Sequence, residues 1–215
     1  MIRRCNSTQA TYAANVPSLV TRGRREPWWS CLEDDHGVVL RAVVPEDAPG
    51  VLRSHSDPRL FEFDPHERHS TLAQSERFIA PMVAHWRRYG FGYWSVLVPR
   101  HWWPDGVDDA GPDASDRVHA GLGGVQHYAI PGEPVLNVYF RLAVEVQGRG
   151  LGGHIVTESL RLAAEVAPGI DLVIRTRPAN AVARRVAERA GFVNAGLEPG
   201  GINMQLLRYT ARSGR

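Results

Sequence analysis

The sequence predicts an α/β protein in which strands and helices alternate along most of the chain. Short apolar runs rich in β-branched residues, such as 38–44 and 172–176, are typical of strands. The segment 150–166 instead repeats its apolar residues at the spacing of a helix, with Leu151, Ile155 and Leu162 on one stripe. Three glycines stand just where that helical pattern begins. These observations favour a sheet flanked by helices, with a glycine-rich connection between one strand and one helix.

The elements follow in order from residue 38. Strands are predicted at 38–44, 93–98, 121–128, 135–144, 172–176 and 202–209. Helices are predicted at 46–56, 70–89, 150–166 and 179–190. Ser70 is the expected cap of the second helix, and Pro81 is expected to bend or divide it. Gly191 is expected to end the last helix as its C′ residue, with Phe192 packing behind it.

The domain organisation is simple. Residues 1–35 lack periodicity and mix small polar residues with Pro and Arg, which predicts an N-terminal extension. No repeat and no change of composition divides the remainder, so a single domain is predicted over 36–215. Residues 99–118 are rich in Pro, Gly and Asp and predict a long loop inside that domain.

The bulk composition excludes several classes of partner. Lys and Arg number 25 against 23 Asp and Glu, and the resulting net charge of +2 does not suggest nucleic-acid binding. No segment approaches the apolar length of a membrane span, so no membrane partner is expected. The charged first residues are not followed by the hydrophobic core of a signal peptide, and we therefore expect a cytoplasmic protein. His66-x-x-His69 lacks further ligands, so no metal site is expected.

The glycine run Gln147-Gly-Arg-Gly-Leu-Gly152 predicts an anion site. Its glycines allow positive φ angles and a close approach of a ligand to the backbone, and a helix N-terminus follows at once. Gly148-x-Gly150-x-x-Gly153 also fits a dinucleotide fingerprint, but that motif requires an acid at the end of the next strand, whereas Asp171 begins it. A plain glycine-rich turn is the third interpretation.

A second motif follows one helix–strand unit later. The segment Asn180-Ala-Val-Ala…Gly-Phe192 resembles the Asn-x-x-Ala…Gly-Phe signature of the GNAT superfamily of N-acetyltransferases. The run 147–152 is similar to that family's Gln/Arg-x-x-Gly-x-Gly/Ala motif at every fixed position, and the order and separation of the two motifs agree as well. The resemblance extends more loosely over 38–209. Within it, 38–98 resembles the branch that includes ribosomal-protein N-terminal acetyltransferases.

The resemblance implies both a fold and a carrier. The implied fold has a mixed, mostly antiparallel central sheet, flanked by helices and splayed between the fourth and fifth predicted strands. The implied co-substrate is acetyl-CoA or a related short acyl-CoA. The residues implied to bind it are Leu142, Ala143, Val144, Gln147, Gly148, Arg149, Gly150, Leu151, Gly152, Gly153 and Asn180. Arg149 is equally compatible with a solvated loop arginine, and Asn180 with a helix N-cap.

The acid and the base of the reaction are harder to assign. Many family members place a Tyr seven residues after the Asn, where this chain has Ala187, and some place a Glu where it has Arg175. The substitutes that we consider are Glu145, Tyr139 and His127. Histidine is the natural base near neutral pH, although a lone His is more often structural. An acid is also dispensable in principle, because a thiolate with a conjugate pKa of ~8.5 leaves readily.

The acceptor site is expected to form from 53–69, 86–94 and the loop 99–118. Glu62 and Asp64 are expected to attract a cationic amine there, and Trp94 to line the site. We therefore predict an acyltransferase that moves an acetyl or short acyl group from acyl-CoA to a primary amine by direct attack in a ternary complex. The acceptor is a protein N-terminus, a lysine or a small molecule, and a homodimer is compatible with the sequence. A non-catalytic acyl-CoA-binding module and a dinucleotide-dependent enzyme remain the alternatives.

Overall fold

The computed structural model describes residues 3–4, 27–104, 116–200 and 203–211. They fall into two compact units. The first unit contains the described residues up to Leu122 together with Arg141–Arg149, and the second contains Gly123–Phe140 and the described residues from Gly150 onward. Most of the predicted extension 1–35 and much of the predicted loop 99–118 lie outside the described residues.

Nine strands and four α-helices occur within the described ranges. The strands are β1 (Arg3–Arg4), β2 (Cys31–Glu33), β3 (Val39–Ala42), β4 (Tyr93–Pro99), β5 (Arg117–Ile130), β6 (Glu133–Leu142), β7 (Leu172–Thr176), β8 (Val193–Leu197) and β9 (Gln205–Tyr209). The helices are α1 (Ala48–His55), α2 (Leu72–Tyr89), α3 (Leu151–Val166) and α4 (Ala181–Arg189). Strands β5 and β6 each contribute residues to both units.

The first unit is an antiparallel sheet covered by α1 and α2. Its strands follow the chain in the order β1-β2-β3-β4-β5, and β3 pairs with β4 from Val39 opposite Leu97 to Ala42 opposite Trp94. Trp86 of α2 and Trp94 are completely buried. Because these large rings fill the core between helix and sheet, they fix where α2 lies on this unit.

The second unit is a mixed sheet. Strands β5 and β6 are joined by a two-residue turn in which Gly132 has a φ of 83°, and the order continues β6-β7-β9-β8. Strand β6 is parallel to β7, whereas β7 and β8 are both antiparallel to β9. The two units thus have the mixed, mostly antiparallel sheet with flanking helices that was predicted for this chain.

The predicted cap of α2 is wrong, and of the predicted bend or division at Pro81 the division does not occur. Its N-cap is Thr71 rather than Ser70: the Thr71 hydroxyl accepts from the Gln74 N–H at 3.3 Å, and the Gln74 carboxamide accepts from the Thr71 N–H at 3.0 Å. This reciprocal pair requires a glutamine three residues after the cap, which selects Thr71. The helix also runs without a break through Pro81, so the predicted division does not occur. Burial of its opposite face against the unit outweighs the one backbone hydrogen bond that proline removes.

The end of α4 agrees with the prediction. Gly191 has a φ of 92°, its N–H donates to the Glu188 carbonyl at 3.0 Å, and the Phe192 N–H donates to the Ala187 carbonyl at 3.1 Å. This pair of hydrogen bonds is a Schellman motif. Strand β8, which follows directly, was not predicted. All five of its residues are exposed, so its sequence lacks the apolar alternation that indicates a strand.

Among the residues that the structure describes, none of the helices combines the length and the apolar character needed to span a lipid bilayer.

Candidate active site

The parallel strands β6 and β7 of the second unit separate after three paired positions. Leu136, Asn137 and Val138 lie opposite Leu172, Val173 and Ile174. Strand β6 then continues through Tyr139 and Phe140, and β7 through Arg175 and Thr176, without further pairing between them. The predicted splay between these strands is confirmed. Its consequence is that backbone groups of β6 beyond Val138 are not used by the β7 ladder.

The N-terminus of α3 follows in the same unit. Gly150 is its N-cap with a φ of 81°, and no side chain caps the helix. The first-turn N–H groups of an α-helix have no partner within the helix, and here no acidic side chain stands in that turn. The positive end of the helix dipole is therefore not neutralised by its own first turn. An anion placed there would gain both the dipole and the N–H donors.

The glycines of this turn differ in whether the structure requires a glycine at their position. Gly150 needs glycine because of its left-handed φ. At Gly152 a Cβ would make only an ordinary contact with the Phe140 ring at 3.5 Å, and at Gly153 it would meet no atom within 4 Å. Packing inside the protein therefore does not demand glycine at 152 or 153. A bare backbone at these positions suits a ligand that approaches the helix end closely, and in this respect the residues fit a pyrophosphate.

The run 147–149 precedes this helix and belongs to the first unit. Gln147 donates from its side chain to the Leu142 carbonyl at 3.0 Å, and Gly148 has a φ of 77°. The Arg149 guanidinium lies 4.8 Å from the centroid of the Trp102 ring. The cation–π contact orients the exposed Arg149 side chain, and its predicted bond to phosphate stays a prediction.

The three residues predicted at the end of β6 are partly engaged within the protein. The Ala143 N–H donates to the Ala120 carbonyl at 2.8 Å, and the Ala143 carbonyl accepts from the Val146 N–H at 3.2 Å. The Val144 carbonyl accepts from the Gln147 N–H at 3.2 Å. A ligand that used the Ala143 backbone would have to replace bonds already made.

Asn180 is the N-cap of α4. Its side-chain oxygen accepts from the Ala183 N–H at 3.0 Å. This is the alternative that the sequence left open, and it fixes the orientation of the carboxamide. The amide nitrogen retains two donors, so capping and ligand binding by Asn180 do not exclude one another.

The three candidate catalytic side chains differ in their surroundings. Tyr139 is half-buried on β6 just past the last position paired with β7, whereas His127 is exposed on β5. Counting along the β5–β6 hairpin, the two lie about three residues apart, or ~10 Å, so the structure does not bring them together. Partial burial lowers the pKa of His127. In the first unit, Glu145 is ion-paired with Arg59, with 2.6 Å between Oε1 and Nη2.

Sequence reasoning missed a polar cluster in the second unit. Tyr128 donates to one Glu198 oxygen at 2.7 Å, and Arg175 donates to the other from two nitrogens at 2.7 and 2.9 Å. Burial raises the pKa of Glu198, but the hydrogen bonds from Arg175 and Tyr128 outweigh it and lower that pKa below its ordinary value. Burial and the bond to Glu198 raise the pKa of Tyr128. Arg175, which replaces a family glutamate, is therefore locked in an ion pair.

The predicted acceptor residues lie in different surroundings. Glu62 is exposed and Asp64 is half-buried. Trp94 is fully buried, and its indole N–H donates to the Trp29 carbonyl at 2.9 Å, so it is part of the core rather than of an accessible surface. His69 is buried and bonded to the Ser75 hydroxyl at 2.9 Å. Within the described ranges, no group of three or more His, Cys, Asp or Glu side chains is arranged to hold a metal ion.

Comparison with known proteins identifies the class of protein to which this fold belongs. The family model of the acetyltransferase (GNAT) domain matches residues 38–193. The chain therefore belongs to the GNAT family and is an N-acetyltransferase that uses CoA as acyl carrier. No curated protein sequence matches the chain.

Several solved structures share the fold. An acetyltransferase from Agrobacterium tumefaciens is 22% identical with a TM-score of 0.59, covering 87% of this chain and 99% of its own. The ribosomal-protein-S5-alanine acetyltransferase of Vibrio fischeri is 16% identical with a TM-score of 0.58, covering 86% and 98%. The ribosomal L7/L12 α-N-protein acetyltransferase in complex with CoA is 13% identical with a TM-score of 0.60, covering 82% and 96%.

Proposed function

We propose that this protein transfers an acetyl or related short acyl group from acyl-CoA to a primary amine by direct attack in a ternary complex. The observation that carries the proposal is the glycine-led N-terminus of α3, which follows the strand that splays from β7. The helix N-terminus suits a pyrophosphate. The strand that has separated from β7 suits an extended arm that forms hydrogen bonds with strand backbone. Acyl-CoA has both parts.

The first-turn N–H groups of α3 would bind the pyrophosphate of the carrier. Gly150 allows the turn, and Gly152 and Gly153 keep the backbone bare where the phosphates approach. The predicted contacts of Gln147, Gly148 and Arg149 with the pyrophosphate stay predictions from the sequence, and the Gln147 N–H already donates to the Val144 carbonyl at 3.2 Å. Asn180 would donate its amide N–H to the pantetheine arm while its oxygen still caps α4.

The backbone of β6 beyond Val138 would align the thioester and polarise its carbonyl. A donor aimed at the developing negative charge is worth ~3 kcal/mol. Holding amine and thioester in line contributes more, up to roughly 7–11 kcal/mol when the geometry is right. Most of the rate acceleration therefore comes from holding the amine and the thioester in line. This fits a site that has Ala187 where many family members have a tyrosine.

The proposed chemistry balances as follows. The neutral amine nitrogen attacks the carbonyl carbon, a C–N bond forms, and the C–S bond breaks to release the CoA thiolate. The amine proton passes to a base, and the thiolate takes up a proton from Tyr139 or from water. A thiolate with a conjugate pKa of ~8.5 is a competent leaving group, so the second proton transfer is not obligatory.

Cytoplasmic location and homodimer formation stay predictions from the sequence.

Calorimetric titration with acetyl-CoA, CoA and NADP tests the carrier site. Gly150→Glu places a negative side chain at the N-terminus of α3, and Gly169→Glu is the matched control at the other end of this helix. Both glycines have φ angles near 80°, and a Cβ at either would meet no atom within 4 Å, so the backbone strain is alike, at ~1–2 kcal/mol. We expect acetyl-CoA to bind the wild type and Gly169→Glu but not Gly150→Glu. A folded wild type that binds NADP and no acetyl-CoA would overturn the proposal.

A further inference from the structure

Arg141 of β6 stands in the first unit against an aromatic ring instead of an acid. Its guanidinium carbon lies 4.2 Å from the centroid of the Phe61 ring, and its side chain is half-buried. Within the described part of the chain, no carboxylate forms an ion pair with it. Other arginines of the same unit do have acids: Arg41 pairs with Asp47 and Arg117 with Glu33. Arg141 is thus a partly desolvated cation whose charge the neighbouring described residues do not balance.

The rings around it carry no compensating charge. His55 stacks on His69 with 4.8 Å between ring centroids, and its ring centroid is 5.6 Å from that of Phe61 and 5.0 Å from that of Phe78. Burial and the charge of Arg141 lower the pKa of His55 to about 2, and the same two causes lower the pKa of His69. Both imidazoles are therefore neutral at physiological pH. Arg141 is the permanently charged member of the cluster formed by Arg141, His55, His69, Phe61 and Phe78, and the charge of Glu67 acts on His69 in the opposite direction.

One atom of this cluster lacks a partner among the described residues. His55 is 1% exposed, and its Nε2 forms no hydrogen bond there. Its Nδ1 lies 3.1 Å from the Ser54 hydroxyl, which in turn reaches the Val51 carbonyl at 3.1 Å. With the Ser54 hydroxyl donating to that carbonyl, Nδ1 carries the imidazole proton and Nε2 is a free acceptor. An acceptor of this kind calls for a donor, so Nε2 is not itself a contact for an anion, and the argument for an anion rests on the Arg141 guanidinium.

We propose that Arg141 binds an anionic group, a carboxylate or a phosphate, on the amine acceptor. The inference rests on the proposed function and narrows its substrate class to amines that carry an acid, as opposed to polyamines or other polycations. A guanidinium binds a carboxylate through two parallel hydrogen bonds, and such a pair supplies the counter-charge that Arg141 lacks. Arg141 belongs to β6, the strand whose preceding residues are proposed to hold the thioester.

Binding can be measured without turnover. The Arg141 side chain is observed by NMR in protein labelled with 15N-arginine. Its Nε–Hε signal is assigned as the one that is missing from the spectrum of Arg141→Lys. The probes are 4-aminobutanoate and 4-aminobutanamide, which differ only in carboxylate against amide. We expect a saturable shift of this signal with the carboxylate and binding at least about tenfold weaker with the amide, the ratio expected for one charge-assisted bond. Equal shifts with both probes, or none with either, would overturn the inference.

Acyl transfer provides the second measurement. With acetyl-CoA, the wild type should prefer the carboxylate probe by about tenfold in kcat/KM. Arg141→Gln should bring that ratio toward one, and Arg141→Lys should keep part of it. Arg88→Gln is the control, because the Arg88 guanidinium also lies over a ring, that of Tyr89 at 5.1 Å, and it should leave the ratio unchanged.

The NMR titration and the acyl-transfer assay together distinguish failure of the anion site from failure of the proposed function. Transfer to both probes at equal rates would leave the proposed function standing and remove the anion site. A carboxylate-selective shift of the Arg141 signal, in a wild type that neither binds acetyl-CoA nor forms product, would leave the anion site standing and remove the proposed function. Thermal melting identifies an unfolded Arg141→Gln, in which case the wild-type titration and Arg141→Lys decide.

Discussion

Arg41 and Asp47 form an ion pair in the interior of the first unit. Arg41 Nη2 lies 2.6 Å from Asp47 Oδ1, and the two side chains are 4% and 1% exposed. The same carboxylate accepts from the Ser95 hydroxyl at 2.6 Å and from the Val44 N–H at 2.9 Å. Asp47 thus ties β3, β4 and the turn that leads into α1 together, and both ions are fully hydrogen-bonded as a buried pair requires.

Removing the charge of Asp47 should destabilise this unit strongly. Asp47→Asn leaves the Arg41 guanidinium buried without a counter-ion, and we expect a loss of about 3–5 kcal/mol in the free energy of unfolding measured with urea. Asp116→Asn is the control, because its pair with Arg100 spans 3.7 Å on the surface and is worth at most about 1 kcal/mol. Equal losses from the two variants would contradict the structural role given to Asp47.

The Arg41–Asp47 pair should make the free energy of unfolding depend on pH in the acid range. Burial alone raises the pKa of Asp47, but the charge and hydrogen bonds of Arg41 outweigh burial and lower it below its ordinary value. A carboxyl whose pKa is depressed by folding stabilises the protein above its unfolded pKa of about 3.9, and that contribution is lost as pH falls through the folded pKa. The difference in unfolding free energy between wild type and Asp47→Asn should therefore be constant from pH 7 to about 5 and shrink below about pH 4. A constant difference down to pH 2 would contradict this assignment.

Gly121 on β5 should tolerate no side chain. Its φ is 141°, and a Cβ would lie 2.2 Å from the Arg141 carbonyl oxygen and 2.9 Å from the Leu142 Cα. Because these are backbone atoms of the neighbouring strand, they cannot rotate away. We expect Gly121→Ala to lower the free energy of unfolding by about 2–5 kcal/mol. Gly132→Ala shares a positive φ but meets no atom within 4 Å, so its cost should stay near 1–2 kcal/mol. Matching thermal melts of the two variants would refute the close approach.

The parts of the structure that could be predicted from the sequence are governed by local rules. The Schellman end at Gly191 and the helix that begins after Gly150 each depend on a few consecutive residues, and both formed as predicted. The cap of α2 was misassigned by one residue because Ser70 and Thr71 are both good caps. Only the position of Gln74 three residues later separates them.

The parts that could not be predicted depend on residues distant in sequence. Tyr128, Arg175 and Glu198 come from three separate strands or connections, and no spacing rule links them. The same holds for Arg141 and Phe61, whose ring centroid lies 4.2 Å from the guanidinium carbon through tertiary packing alone. Hydrophobic periodicity locates a residue on a strand or a helix, but it does not say which polar side chain from another element it will face.

Asn180 should show two separable roles. Asn180→Ala removes the oxygen that caps α4, and we expect a loss of about 1 kcal/mol in stability together with weaker acetyl-CoA binding. Asn180→Asp keeps a capping oxygen but has no amide N–H to donate, so its thermal melt should match the wild type while its affinity for acetyl-CoA falls. Wild-type affinity in Asn180→Asp would leave Asn180 with its capping role alone.

Of the three candidate catalytic side chains, Tyr139 should contribute most to kcat. Tyr139 stands just past the last pair between β6 and β7, whereas His127 is exposed about three residues nearer the hairpin turn and Glu145 is held by Arg59 at 2.6 Å. Proton transfer by a positioned side chain contributes about 10²–10⁴-fold, and the readiness of a thiolate to leave favours the lower end. With saturating acetyl-CoA, we expect Tyr139→Phe to lower kcat about 100-fold and His127→Gln to leave it within about threefold. Glu145→Gln should resemble Arg59→Gln in kcat, because each removes the ion pair between these two residues, while Arg59→Gln also removes the pair with Asp57. A large loss of kcat in Glu145→Gln alone, with Tyr139→Phe near wild type, would move the role to Glu145.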